Sequence, residues 1–453
     1  MEYPVKKGER LTVDILRAGD AGDGVAQVGG LTLFVEKTLP GETVEAVITE
    51  VQARFAKARA EKVVTPCANR IAPPCPHEKL CGGCSMQFMD YDTHCRQLQG
   101  HVFSLMQRVG GQENYEMLPV LSMEEPWHYR NKAVWRAGGT AAQPKLGFVG
   151  RGTHSIVEAT DCLLQTQEAC TAAKVVLEWM KLNRIAPYDE RSRKGILRHL
   201  MVRTNRMGQT MVVPVTAGDA LPAKQQLIEM LKNALPGLKS VVQNINPKAT
   251  QQILGLKCRV LYGEERLQDE LMGLTFRLSA LSFYQINRVQ TEKLYAQALE
   301  FAALTGGETV ADAYCGAGTI SLCMAKSAKR VIGVEIVPEA IADAKENAVR
   351  NGVENAEFIV GACEEVLPRL VREGLKPDVV MLDPPRKGCE EAVLTAAAQT
   401  NPKRIVYVSC NPATLARDAK RLAAMGYPMK KLRVCDMFSW TGEAECVALF
   451  EGE

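Results

Sequence analysis

Cys410 stands in RIVYVSCNP, at the end of an apolar run, with Pro412 two residues on. On spacing alone such a thiol is more often a small buried hydrophobe than a nucleophile. As a nucleophile it would suit an unreactive ring. Carbon 5 of uracil is a poor nucleophile, but a thiolate added at carbon 6 makes it enolate-like and able to attack a methyl sulfonium. A base must then take the carbon-5 proton before the thiol can leave. A free cysteine ionises at a pH of about 8.5, so the site must lower that value or supply a local base. Arg417 is a nearby candidate in sequence.

A second group of residues could hold the methyl donor. The run TVADAYC leads into Cys315-Gly316-Ala317-Gly318-Thr319, and a helical pattern follows. A glycine turn there lets backbone approach a ligand at a helix N-terminus. Glu335 closes the next strand-like run, where a carboxylate can accept from both ribose hydroxyls. A dinucleotide site normally has three spaced glycines; Gly316 and Gly318 are two, as in S-adenosyl-L-methionine sites, where no pyrophosphate needs cradling. The bland alternative is a tight turn with Glu335 as a surface acid. Asp383-Pro384-Pro385-Arg386 ends a further apolar run, and its prolines fix a rigid exit that can aim Asp383 into a cleft.

The chain has 15 cysteines, an odd number that argues against a disulfide scaffold. Cys75, Cys81 and Cys84 form a tight run, and Cys162 follows far downstream. Four thiolates can hold tetrahedral zinc or a 4Fe–4S cluster. The spacing is not that of a zinc ribbon, nor the C-x3-C-x2-C run of radical enzymes. Zinc, iron–sulfur and unligated thiols all remain open on these residues, and Cys67 is a spare thiol nearby.

These groups need a scaffold. The 453 residues are 46% apolar and 24% charged, an ordinary globular balance that makes disorder and collagen-like structure improbable. Lys plus Arg is 55 against 52 Asp plus Glu, so a net charge of +3 does not by itself announce nucleic acid. No apolar stretch is long enough for a membrane span. MEYPVKKGERLTVD has no apolar run behind its charges, so no secretory signal and a cytosolic location are expected. Residues 1–65 read as a small OB-like barrel of five strands, turned at Asp23-Gly24, Gly29-Gly30 and Pro40-Gly41. Residues 66–94 are a Pro- and Cys-rich loop segment. Residues 95–274 read as a central α+β domain, with helices near 165–183 and 222–234. Residues 95–110 turn helical, and the stretch 95–118 is the part that would pack on the C-terminal domain. Residues 275–453 alternate strand and helix, which predicts an α/β, doubly wound, Rossmann-like domain.

SCNPATLARD and DMFSWTGEAECVALF, taken with the cysteine run, resemble the uracil-5 RNA methyltransferases, most closely the bacterial 23S ribosomal RNA branch. The resemblance covers nearly the whole chain and implies a TRAM domain at the start, an iron–sulfur segment, a central domain and a methyltransferase domain. It implies Cys410 as nucleophile and Glu445 as general base. It also implies that Gln285, Tyr314, Glu335 and Asp383 contact S-adenosyl-L-methionine or shape its site, with Thr319 where relatives often carry Asn. Ala362 falls where relatives have a further polar contact. It implies a 4Fe–4S cluster on Cys75, Cys81, Cys84 and Cys162. One departure stands out: Ser439-Trp440-Thr441-Gly442-Glu443-Ala444-Glu445 lacks two histidines of the family pattern and places Glu443 two residues from the base.

RNA is the expected partner, 23S rRNA ahead of tRNA, with the protein a monomer. Arg54, Lys57 and Arg59 form a candidate phosphate patch on the barrel. Residues 184–206 hold seven Lys or Arg against two acids, and Arg198, His199 and Arg203 are the candidates within them. Arg130 and Lys132 follow Trp127, His128 and Tyr129, a possible stacking group for an unstacked base or else core packing. Methylation of an amine, which Asp-Pro-Pro also fits, and a non-catalytic RNA-binding role are the rival readings.

Overall fold

The computed structural model describes residues 4–19, 22–248 and 252–452. The N-terminal sheet is built from β1 (Arg10–Asp14), β2 (Arg17–Ala18), β3 (Gly24–Val28), β4 (Leu31–Glu36), β5 (Thr43–Val51) and β6 (Phe55–Thr65). Its order is β1-β5-β6-β4-β3-β2. The first strand is bent rather than single: β1 pairs with β5, and β2, two residues on, pairs with β3. That bend joins the two ends of the sheet and closes the barrel, so six short strands stand where five were expected. Alternate residues of β5 and β6 point inward, and Ala46, Ile48, Ala56 and Ala58 share the barrel core with Leu33 and Val35.

Next come α1 (Tyr91–Arg108), β7 (Glu116–Leu121), β8 (Lys132–Gly139), β9 (Pro144–Val149), β10 (Ile156–Glu158), α2 (Gln167–Leu182), β11 (Leu197–Thr204), β12 (Thr210–Thr216), α3 (Lys224–Ala234), β13 (Leu238–Ile245) and β14 (Lys257–Gly263). Strands β8–β14 form one sheet, in the order β10-β9-β8-β11-β12-β13-β14, and α2 and α3 bury Val176, Trp179, Leu227 and Leu231 against it. The hairpin of β15 (Leu267–Leu271) and β16 (Leu274–Leu278) spans residue 275. Its Leu271, Leu274, Phe276 and Leu278 pack into the C-terminal core, so the expected division at 275 runs through it.

The remaining elements are α4 (Arg288–Ala302), β17 (Thr309–Asp312), α5 (Thr319–Ala325), β18 (Arg330–Glu335), α6 (Pro338–Arg350), β19 (Ala356–Val360), α7 (Cys363–Arg372), β20 (Val379–Leu382), α8 (Glu391–Gln399), β21 (Arg404–Ser409), α9 (Pro412–Ala424), β22 (Met429–Cys435) and β23 (Glu445–Glu451). The sheet runs β19-β18-β17-β20-β21-β23-β22-β7. The first five strands are parallel, and β20 (VVML) is buried along its whole length, as expected of a strand covered on both faces. Helices α4, α5 and α6 pack on one face, and α1, α7, α8 and α9 on the other. The helix expected over 95–118 ends at Arg108, before Gly110-Gly111; residues 116–121 are instead an edge strand, parallel to β22. Among the described residues no helix is long and apolar enough to cross a membrane.

Candidate active site

Strand order reverses its winding between β17 and β20, and a crevice opens at the carboxyl ends of such strands. The turn after β17 carries Gly316 (φ 53°) and Gly318 (φ 78°), both in the left-handed region. A Cβ on Gly318 would lie 3.0 Å from the Phe358 ring and 3.1 Å from Ala344, whereas one on Gly316 would meet only open space. Gly318 therefore permits close packing, and Gly316 leaves room for a ligand against the backbone. Glu335, at the end of β18, accepts from Gly316 N at 3.2 Å and Val337 N at 2.9 Å. Those two bonds fix its carboxylate toward the turn and leave acceptor capacity for a ligand's hydroxyls.

The register of β21 on β23 pairs Ser409 with Cys446. Cys410 and Glu445 thus emerge side by side at the end of that ladder. Asn411 caps α9 by accepting from Ala413 N at 3.1 Å, and its side-chain amide donates to Arg386 O at 3.0 Å, which ties the Cys410 turn to the loop that ends β20. A cavity of about 1110 Å³ runs through this region. Gln285, Tyr314, Gly316, Thr319, Glu335, Ala362, Asp383, Arg386, Cys410 and Glu445 all line it. Gly318 shapes the turn from beneath. Leu256 (82% exposed) and Phe283 (75% exposed) stand at the cavity wall, an apolar surface of the kind an unstacked base can cover.

The electrostatics are dominated by burial. Burial pushes Glu445 up to about 8, helped by the charge of Asp383 and opposed by Arg386; Glu443 adds a smaller upward push. Asp383 rises to about 7 through burial and the charge of Asp312. Burial, then Glu445 and Asp383, push the Cys410 thiol up to about 11, and Arg386 works against them. The cation that favours the thiolate is therefore Arg386, not Arg417. The latter donates to Asp418 at 2.8 Å and to the carbonyls of Lys387 and Cys389. Glu443 does not crowd the base unopposed, because Arg386 Nη2 lies 2.6 Å from its Oε2. Two further residues of this region carried no sequence signal. Tyr295 in α4 shares a 3.0 Å hydrogen bond with Thr319, and Asp312, held by Ser321, rises to about 6 through burial.

Contacts bring part of the cysteine segment near Cys162. His77 Nε2 meets Asp161 at 2.7 Å, which brings Cys162 to the 75–84 loop. Burial raises Cys75, Cys84 and Cys162; Cys84 feels the charges of Cys162 and Cys75, Cys162 that of Cys75, and Cys75 that of Cys81. Cys67 packs apart from them, against Leu39, Met86 and Phe88. Among the described residues no group of three or more His, Cys, Asp or Glu side chains is drawn tightly enough for a single metal ion.

The expected RNA contacts divide. Arg54, Lys57 and Arg59 are exposed on the barrel; Lys57 lies 3.4 Å from Glu50, and Arg59 3.8 Å from Glu61. Arg198 and Arg203 are corrected: each is 3% exposed and spent on backbone carbonyls. Arg198 donates to Asn246 O at 2.9 Å and Lys248 O at 2.6 Å, and Arg203 donates to Ser282 O. His199 is also corrected as a cation, since burial and the charges of Arg136 and Arg198 push it down to about 4. Burial and Arg203 lower Lys132 to about 8. Arg130 lies near the thiols, where its charge favours ionisation of Cys84 and Cys162. Trp127 and Tyr129 pack with Trp440 in an apolar cluster, so these two rings belong to the core, while His128 is exposed.

A profile of the tRNA (uracil-5-)-methyltransferase family matches residues 207–452, and a TRAM-domain profile matches residues 4–60. A chain from Halalkalibacterium halodurans named as an RNA methyltransferase is 45% identical over 451 residues, covering 99% of this chain and 98% of that one. A chain of the same description from Clostridium tetani is 42% identical over 449 residues, covering 99% and 97%. Among solved structures, the Pyrococcus abyssi tRNA (uracil-54, C5)-methyltransferase in complex with S-adenosyl-L-homocysteine superposes with a TM-score of 0.77. It is 24% identical and covers 97% of this chain and 99% of its own, a likeness of fold.

Proposed function

The chain belongs to the tRNA (uracil-5-)-methyltransferase family, and from that premise we propose that it methylates carbon 5 of a uridine in RNA, with Cys410 as nucleophile and Glu445 as base. The observation that carries the reading is the ladder register that sets Cys410 beside Glu445, in the same cavity as the glycine turn and Glu335. The open space over Gly316 and the anchored carboxylate of Glu335 fit S-adenosyl-L-methionine. Bound there, that donor supplies the methyl group and a sulfonium charge. Cys410, its proton lost to solvent, adds as thiolate to carbon 6 of the uracil, and the enolate carbon 5 takes the methyl group as the sulfonium S–CH3 bond breaks and S-adenosyl-L-homocysteine leaves. Glu445 then removes the carbon-5 proton, the carbon 5–carbon 6 double bond re-forms, and the carbon–sulfur bond breaks. Asp383 and the prolines after it wall the cavity between the two ends of this chemistry.

We favour 23S rRNA as the substrate, with tRNA as the second class. A 4Fe–4S cluster on Cys75, Cys81, Cys84 and Cys162 belongs to the same reading. Cys84 and Cys162 pack against one apolar cluster and the His77–Asp161 contact holds Cys162 to the 75–84 loop, a placement that suits a group bound by thiolates from both segments. Its contribution would be to staple residues 75–84 to residue 162; the methyl transfer needs no redox step. The barrel surface at Arg54, Lys57 and Arg59 supplies phosphate contacts.

The test is nucleoside mass spectrometry on unmodified 23S rRNA and tRNA transcripts, each incubated with anaerobically purified protein and labelled S-adenosyl-L-methionine. Labelled 5-methyluridine that vanishes with Cys410→Ala is the expected result, and the transcript that carries it names the RNA class. Label on an amine, or 5-methyluridine made by the Cys410→Ala protein, would refute the reading.

A further inference from the structure

The turn that delivers Glu445 is anchored far more heavily than its length requires. Asp436, fully buried, accepts from Tyr91 Oη and Ser439 Oγ, each at 2.6 Å, and meets His94 Nε2 at 3.0 Å. Tyr129 Oη donates to Ser439 O at 3.2 Å. Trp440 follows, 3% exposed and held at φ 69°, a left-handed conformation that a bulky residue keeps only when its surroundings impose it. Its indole N–H donates to Pro126 O at 3.1 Å, and its ring stacks on Trp127 at 4.8 Å and 21°. Its carbonyl accepts from Ser85 N at 3.0 Å and Met86 N at 3.1 Å, the two residues that follow Cys84. Cys84 and Cys162 pack against the same apolar cluster. Trp440 does not line the cavity, whereas Glu445, five residues on, does.

We propose that Trp440 is a positioning residue for Glu445, locking the 439–445 turn onto the cysteine-bearing segment so that the base keeps its place beside Cys410. The inference rests on Glu445 being the base. In that step the carboxylate takes the carbon-5 proton, the freed electron pair re-forms the carbon 5–carbon 6 double bond, and the carbon 6–sulfur bond breaks to return Cys410 as thiolate. A displaced base leaves addition and methyl transfer possible but stalls this release. Loss of Trp440 therefore produces a stalled, methylated covalent complex rather than simple inactivity.

The experiment uses the full chain, labelled S-adenosyl-L-methionine and an RNA transcript that the wild type methylates. It follows turnover together with any protein–RNA complex that survives denaturing electrophoresis. Glu445→Gln is the reference and should accumulate labelled complex. Trp440→Gly removes the ring while suiting the left-handed backbone, and Trp127→Ala removes its stacking partner from outside the turn. Both should lower kcat, Trp440→Gly on the order of 10²-fold, with KM little changed, and should accumulate the complex. Trp440→Phe should restore turnover and clear it. Folded Trp440→Gly and Trp127→Ala proteins that turn over normally, or that lose activity without the complex, would overturn the proposal. Where Trp440→Gly shows no cooperative unfolding transition, Trp127→Ala decides. Failure of Glu445→Gln itself to accumulate the complex overturns the reading of the base, and the positioning role with it.

Discussion

Arg386→Gln should move the pH dependence of methyl transfer toward alkali. Arg386 opposes the upward shifts of both Glu445 and Cys410, and it also pairs with Glu443, whose charge pushes Glu445 up. Removing the guanidinium withdraws the first two effects and unmasks the third, so all three changes share one sign. With Glu445 at about 8, roughly one molecule in ten carries an ionised base at pH 7. A tenfold weaker acid is ionised about tenfold less often at that pH, and the deficit closes once the pH passes the new value. The assay is the initial rate of label transfer into RNA, as kcat/KM, between about pH 6 and 9. The ascending limb should move to higher pH, with a deficit on the order of tenfold at pH 7 that shrinks by pH 9. Because the Arg386–Glu443 pair is largely exposed, raising the salt should narrow the gap. A deficit equal at every pH would refute this electrostatic account and leave Arg386 a role in contact alone.

The added charge of the methyl donor should make itself felt at Cys410. With S-adenosyl-L-methionine the thiol should be alkylated faster than with S-adenosyl-L-homocysteine, read by mass spectrometry of the Cys410 peptide; equal rates would separate the thiol from the donor. Gly318→Ala puts a methyl group 3.0 Å from Phe358 in a left-handed turn, and should cost on the order of 1–3 kcal/mol and weaken donor binding, measured by calorimetry. Arg203→Ala should lower the melting temperature, because Ser282 O loses its partner in a buried setting, and should leave the salt slope of RNA binding unchanged. A slope reduced by about one would restore Arg203 as a phosphate contact.

What could be read from the sequence was local. The strand, glycine turn, helix and Glu335 are written within 27 residues, from Thr309 to Glu335, and each step has its own residue signature. The pairing of Cys410 with Glu445 depends on a ladder between β21 and β23, which no local signal encodes; only the family resemblance pointed to it. Arg386 went unassigned because its partner Glu443 lies 57 residues on. The basic count over 184–206 misled for a different reason. It could not show that LRHLMVRT lies between two other strands, where its arginines meet carbonyls rather than water. A helix extended to 118 overruns the first half of the strand at 116–121, although Gly110-Gly111 is a stop signal and Pro119 suits a sheet edge.

That edge strand has a consequence for how the protein is made. β7 leaves the ribosome long before β22 exists, since Pro119 and Arg433, which are hydrogen-bonded at 2.8 Å, are 314 residues apart. At about 10 residues per second that interval is roughly half a minute. Throughout it, α1 and β7 hold apolar faces with nothing to cover them, a window in which a chaperone or a neighbouring nascent chain can capture the segment. The same arrangement makes the enzyme indivisible from the C-terminal side. A fragment beginning after the central sheet would present the bare flank of β22 to solvent, a template for edge-to-edge aggregation rather than a minimal methyltransferase.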